Sequence, residues 1–184
     1  MIRTVDNSTY RTTHDAGAGK VRQILWYFVN LIFFKSAWNV SSGLKIFLLR
    51  LFGAKVGSGV VLKPMVNIKY PWKLVVSDYS WIGEGCWIDN LSDVLIGTSV
   101  TLSQGSMLLT GSHDHTRTTF DFISQPIQLE DGVWIGARAV VYGGVTVRSH
   151  AILGINSVAE SDLEAFTIYK GNPAVPVLKR KIIQ

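Results

Sequence analysis

The sequence predicts a mainly β fold: a parallel β-helix of hexapeptide repeats, with an N-terminal helical cap and a short C-terminal tail. Three observations carry this expectation. From Leu129 the chain reads LEDGVW, IGARAV, VYGGVT, VRSHAI, LGINSV, which sets Leu129, Ile135, Val141, Val147 and Leu153 at the first position of successive hexads. The fifth position is always modest in size (Val133, Ala139, Val145, Ala151, Ser157), and Gly136 and Gly154 fall at second positions. The rhythm also recurs upstream. Val56, Leu62, Ile68 and Leu74 are six apart; Ile82 and Ile88 follow after a slip of two, and Ile96, Leu102 and Leu108 after another. A short fixed period marks a solenoid. Apolar hits alone say little, because about half of the residues in any protein are apolar; the restriction to Ile, Leu and Val with a small fifth position makes the pattern specific. An antiparallel sandwich would alternate with period two and space its turns irregularly. The slips fit bulges or small loops at coil corners.

The organisation follows from this rhythm. Residues 1–53 form an N-terminal arm and helical cap, residues 54–160 the coil, and residues 161–184 an exit segment and tail. The first 19 residues are polar and read as irregular, with an ordered arm as the alternative. Residues 20–35 read as a helix. Ser42 is the expected cap of a second helix through Leu51, with Gly53 just beyond its end. Leu44, Phe47, Leu48 and Leu51 make an apolar stripe at helical spacing and read as core. That helix would close the first coil, whose open end exposes unpaired backbone. Residues 111–126 break the rhythm and read as a polar loop extruded from the coil. Residues 162–176 read as a turn-rich exit.

Composition narrows the function. A chain of 184 residues with 47% hydrophobic and 17% charged residues can bury a core as one domain. Its net charge of +5 is scattered without a dense basic stripe, which argues against nucleic acid and suits a small anionic ligand. The single cysteine, Cys86, excludes an internal disulfide framework and falls at a fifth position, where a buried structural thiol is expected rather than a nucleophile. The apolar run from Ile24 to Phe34 is too short to span a bilayer, which needs about 20 residues. Its aromatics read as packing against the coil or a neighbouring subunit; peripheral membrane contact, with Lys20, Arg22 and Lys35 nearby, is the alternative. The expected location is the cytoplasm, with the inner face of the membrane left open.

The extruded segment reads TGSHDHTRTTFDF from Thr110. Together with LFGAKVGSGVVLKP, IKYPWKL, WIGEGCWIDNL and the later GNPA, it resembles the hexapeptide-repeat acyltransferases over residues 42–184. Within them it is most similar to the sugar and exopolysaccharide acetyltransferases of the colanic acid, maltose, galactoside and nodulation types. The resemblance implies a left-handed β-helix, a homotrimer with shared active-site clefts, acetyl-CoA as donor and a sugar hydroxyl as acceptor, free, lipid-linked or nucleotide-linked. It implies no required metal. It makes His113 the general base. A near-neutral imidazole suits that task, because a sugar hydroxyl is a poor nucleophile until its proton is taken. No G-x-S-x-G elbow or exposed thiol offers a covalent intermediate, so direct transfer is expected.

The same resemblance places Asn90 and Asp93 at the acceptor, with corner turn chemistry the competing reading of Asn90, and gives His115 substrate contact or no role. Asp93 would alternatively orient the catalytic imidazole. His150 reads as a corner residue and His14 as uninformative. On the donor side the resemblance puts Trp134, Gly136, Ala137, Ile155 and Ser157 along the CoA arm. The family's usual basic contacts are replaced by Glu160, Ser161 and Val175, which leaves Lys179 and Arg180 as candidates for the phosphates or as a solvated tail. Two other readings stand beside this one. A zinc enzyme resembling the γ-carbonic anhydrases would need His113, His115 and His150 as ligands. A non-catalytic trimeric scaffold would need none of these roles.

Overall fold

A computed structural model describes residues 3–10, 12 and 14–183. The chain is a parallel β-solenoid of three sheets, with two helices before it and a hairpin thrown out of it. The first sheet stacks Lys55–Val56, Leu74–Val76, Val94–Ile96, Ile127–Leu129 and Thr146–Val147. The second stacks Val61–Leu62, Trp81–Ile82, Thr101–Leu102, Trp134–Ile135, Ile152–Leu153 and Thr167–Gly171. The third stacks Asn67–Ile68, Trp87–Asp89, Met107–Leu109, Val140–Tyr142 and Val158–Ala159. Successive coils pair in register, as in Ile82 with Leu102, Leu102 with Ile135 and Ile135 with Leu153.

The hexad rhythm is the inward-facing ladder. Every first-position residue from Val56 to Leu153 is buried, and so is every fifth-position residue from Val133 to Ser157. Each buried aliphatic side chain contributes on the order of 1.5–3 kcal/mol. Gly136 is demanded by the spacing of coils: a Cβ there would lie 2.7 Å from the backbone of Gly154 and Ile155. Cys86 is buried against Ser103 O and Ser106 Oγ, and burial pushes its thiol up, as an inert structural cysteine requires.

The slips have one address. Val56 pairs with Val76 and Val76 with Ile96, so Leu74, though buried, is not the residue that continues the ladder. The extra residues fall between Ile68 and Val76 and between Ile88 and Ile96. Both lie at the corner between the third and first sheets. The extruded segment leaves from that corner too, between Met107–Leu109 and Ile127–Leu129.

Helix α1, Lys20–Val29, continues as a π-helical turn through Phe34; helix α2 spans Ser42–Leu51. Together they satisfy the open edge of all three sheets. Arg50 donates to Val56 O; Ser42 Oγ accepts from Leu62 N, and Lys45 Nζ donates to Leu62 O and Lys63 O. Trp26 Nε1 donates to Ile68 O, and Asn30 Nδ2 donates to Asn67 Oδ1. Closure of the first coil by α2 is therefore correct in outline but not in detail. The N-cap is Ser41, whose hydroxyl accepts from Leu44 N, and Ser42 serves the coil edge instead. Of the expected core stripe, Leu48 packs on the core, but Leu44, Phe47 and Leu51 face outward. Lys45 and Leu49 take the inward face, because the unpaired carbonyls need a donor there. Burial lowers the Lys45 pKa below the usual lysine range.

One further reading changes, and one is sharpened. Thr167–Gly171 stacks parallel on Ile152–Leu153 and pairs antiparallel with Ala174–Lys179, so the expected turn-rich exit is largely strand. The described residues of the N-terminal arm are irregular in backbone apart from a 3-10 turn at Asn7–Thr9, yet they are tied to the rest of the chain as in the ordered alternative: Asp6 N donates to Thr118 O, Trp72 Nε1 to Ala16 O, and Lys73 Nζ to Asp15 O.

Candidate active site

The extruded segment is a β-hairpin. Gly111–His113 pairs antiparallel with Phe122–Ser124, and His113 lies opposite Phe122. Its tip is tied by Asp114, whose carboxylate accepts from Thr116 N and Oγ1, holding it below the usual carboxylate range. Arg117 bridges Asp114 and Asp121 at 3.2 and 3.4 Å. The foot of the hairpin is fixed by close backbone approach: a Cβ at Gly143 would lie 2.7 Å from Thr110 O. A cavity of about 360 Å³ opens at this foot, lined by Thr110, Ser112, Ser124, Gln125 and Tyr142 among others.

His113 is half-buried, and its ring is held from three sides. Phe120 stacks on it at 4.4 Å with an interplanar angle of 3°; Phe122 meets it edge-on at 5.8 Å, and Tyr10 of the arm stands 6.0 Å away. Nδ1 lies 2.9 Å from Phe120 O. A carbonyl can only accept, so Nδ1 carries the hydrogen and Nε2 of the neutral ring keeps its lone pair. Phe120 adopts φ +48, the left-handed region that bulky side chains avoid. That turn aims its carbonyl at the imidazole while laying its ring over it. Sequence reading found His113 but not Phe120, because positive φ at a phenylalanine has no sequence signature.

The other acceptor-side candidates sort differently. Asn90 is fully buried; its Oδ1 accepts from Tyr70 N at 3.0 Å, and its Nδ2 donates to Tyr70 O. Both ends of its amide bridge two coils at a corner, and with its full burial the geometry favours that reading over sugar contact. Asp93 is exposed at the same corner one coil below the hairpin. The group within hydrogen-bond reach of the imidazole Nδ1 is the Phe120 carbonyl. His115 is exposed near the hairpin tip and lines a shallow pocket with Thr4 and Val5 of the arm. His14, read as uninformative, packs edge-on against Phe122 at 5.0 Å and stacks on Tyr70 at 6.2 Å. Burial, then Lys73, lowers its pKa. His150 holds the corner role expected of it, at φ +61 with its ring stacked on Phe166.

On the donor side, Gly136 and Ala137 turn the corner between the second and third sheets, and Ile155 and Ser157 turn the same corner one coil on. Gly136 N donates to Leu153 O and Asn156 N to Ala137 O, so the structure does bring these four together. Trp134 is half-exposed on the second sheet, its Nε1 donating to Ser103 Oγ at 2.8 Å; Ile155 is largely exposed. The Ser157 hydroxyl is buried and committed to Gly171 N and Ile155 O. Lys179 donates to Thr167 Oγ1, and Arg180 donates to Gly132 O and His150 O, tying the tail to the coil. His113 and this corner lie at opposite ends of the third sheet. Among the described residues no three His, Cys, Asp or Glu side chains gather within one chain in the manner of a metal site.

A parallel solenoid with an extruded histidine hairpin fits an acyltransferase, and similarity to a curated relative shows that this chain belongs to the hexapeptide-repeat acetyltransferases. It is 37% identical over 164 residues to the Escherichia coli K12 protein named for colanic acid biosynthesis as the acetyltransferase WcaF, covering 89% of this chain and 90% of that one. It is 26% identical over 123 residues to the galactoside O-acetyltransferase of Escherichia coli K12, covering 65% and 61%. Among solved structures, a hexapeptide-repeat acetyltransferase of Vibrio cholerae in complex with acetyl-CoA superposes with a TM-score of 0.81 at 22% identity, over 95% of this chain and 97% of that one. A maltose O-acetyltransferase of Clostridium difficile 630 superposes with a TM-score of 0.75 at 17% identity, over 98% and 100%. At such identities the likeness concerns the fold. No family model matches the chain.

Proposed function

We propose that this enzyme transfers acetyl from acetyl-CoA directly to a sugar hydroxyl during surface polysaccharide biosynthesis, with His113 as general base. The observation that carries the reading is the 2.9 Å contact between His113 Nδ1 and Phe120 O, which leaves Nε2 as an acceptor. Nε2 takes the hydroxyl proton as the oxygen attacks the thioester carbonyl carbon. The tetrahedral species then expels the CoA sulfur, which leaves with the proton held by the imidazolium. Names of relatives support the class of acceptor, since they cite colanic acid and a galactoside.

The donor's pantetheine arm runs beside Trp134, Gly136, Ala137 and Ile155 in this reading. Ser157 shapes that corner from inside. Lys179 offers the phosphates a cation, since Thr167 Oγ1 takes one of its three ammonium hydrogens; Arg180 acts chiefly as a clasp for the tail. A neighbouring copy that lays its own corner against the hairpin would close the cleft, which is the role of the homotrimer. Light scattering should then give close to three times the 20.3 kDa monomer mass; a clean monomer would sink the shared cleft.

The test of the reaction is acetyl-CoA turnover against a panel of free, nucleotide-linked and lipid-linked sugars, with the intact mass of the enzyme read in parallel. Acceptor-dependent CoA release without an acetylated enzyme is expected. A stable acetyl adduct on the protein before acceptor is added would refute direct transfer, and absence of CoA binding would restore the scaffold reading.

A further inference from the structure

The helical cap presents apolar side chains outward as well as inward. Trp26, Asn30 and Phe34 turn inward onto the coil. Opposite them, Ile24, Phe28 and Ile32 form an outward stripe, each about half exposed, which begins at exposed Lys20 and ends at exposed Lys35. Helix α2 repeats the arrangement, with Leu44, Phe47 and Leu51 outward. Trp38 and Val40, between the helices, are 62% and 75% exposed. A surface helix is normally polar on its outer face, and apolar surface gathered in this way marks an interaction site.

Charge identifies the occupant. Residues 16–53, which hold both helices, carry five Lys and Arg and no Asp or Glu; Lys45 is buried against the coil, while Lys20 and Lys35 are exposed at the two ends of the stripe. An apolar stripe bracketed by lysines, with Tyr27 and Trp38 exposed beside it, has the composition of a helix that lies in the headgroup layer of an anionic membrane. Lysine stems can lie along the hydrocarbon boundary while their ammonium groups reach the phosphates. A symmetric contact with a second copy would instead set cation against cation. None of the described helices is long and apolar enough to cross a membrane.

We propose that the outward face of α1, its π-helical continuation and α2 docks the enzyme on an anionic bilayer surface. These side chains lie outside the His113 hairpin, so the proposal and the acetyl-transfer reading stand or fall separately.

The test is co-sedimentation of the intact protein with vesicles of phosphatidylcholine alone or mixed with phosphatidylglycerol. Binding should be at least about tenfold tighter to the anionic vesicles and should weaken steeply with salt. The triple variant Phe28→Ser, Phe47→Ser, Leu51→Ser should lose about tenfold or more in binding, with its mass by light scattering unchanged. The pair Lys20→Glu and Lys35→Glu, at two exposed positions, should lose the preference for anionic lipid. Equal binding to both vesicles, or binding retained by both variants, would overturn the proposal. A fall in oligomer mass in the triple variant would also overturn it, by showing that a second copy covers this face.

Discussion

From Leu129 to Leu153 the chain turns every six residues, and each inward position is a buried aliphatic side chain. At the corner between the third and first sheets the same chain inserts Pro71–Lys73, then the segment around Asn90 and Asp93, then the whole hairpin around Gly111–Ser124. The contrast separates two kinds of constraint. Within the coil, a residue is fixed by the volume left for it between parallel backbones. At the irregular corner, residues are fixed by hydrogen bonds and ring contacts with segments distant in sequence, and the free Nε2 of His113 is one result.

Substitutions should divide along that line. Ile82→Ala, deep in the coil, should lower stability by about 2–5 kcal/mol, read by chemical denaturation, while the folded fraction keeps its turnover. Loss of turnover without loss of stability would place Ile82 in the chemistry and blur the distinction.

Asn90→Ala probes the corner. It leaves Tyr70 N and O without their partner, at a cost of about 1–3 kcal/mol, with KM for the acceptor unchanged. A raised acceptor KM at full stability would restore the sugar-contact role.

Phe120→Ala keeps the carbonyl but removes the stacked ring. Turnover should fall about threefold to tenfold, as loss of an aromatic contact of about 0.5–1.5 kcal/mol predicts, with little change in melting temperature. An unchanged rate would show that the carbonyl alone holds the imidazole.

The smallest effect belongs to His14. Burial lowers its pKa in the fold, so the unfolded chain binds the proton first as pH falls through about 6.5. Its contribution is fully present above that value and is lost below it. His14→Phe should flatten the decline in melting temperature between neutral and mildly acid pH; an identical slope would remove His14 from the account.

The same contrast explains what could be read in advance. The coil was legible because one packing rule repeats, and even the slips announced corner insertions, though not that they share one corner. His113 was legible through its TGSHDH motif in a broken repeat. The bridge made by Asn90 was not legible because its partners are the backbone atoms of Tyr70, which have no sequence identity. The outward turn of Phe47 and Leu51 was hidden because an apolar stripe at helical spacing does not say which side meets the core; the unpaired carbonyls of Leu62 and Lys63 drew Lys45 inward instead. The arm was hidden because it is held by single contacts to Thr118, Trp72 and Lys73 rather than by a pattern.

The most direct test is acetyl-transfer kinetics of His113→Ala beside a calorimetric titration of CoA with the same variant. Loss of a general base predicts a fall in kcat of about a hundredfold to ten-thousandfold, with CoA affinity and melting temperature kept. Turnover within a few-fold of wild type would contradict the assignment of His113.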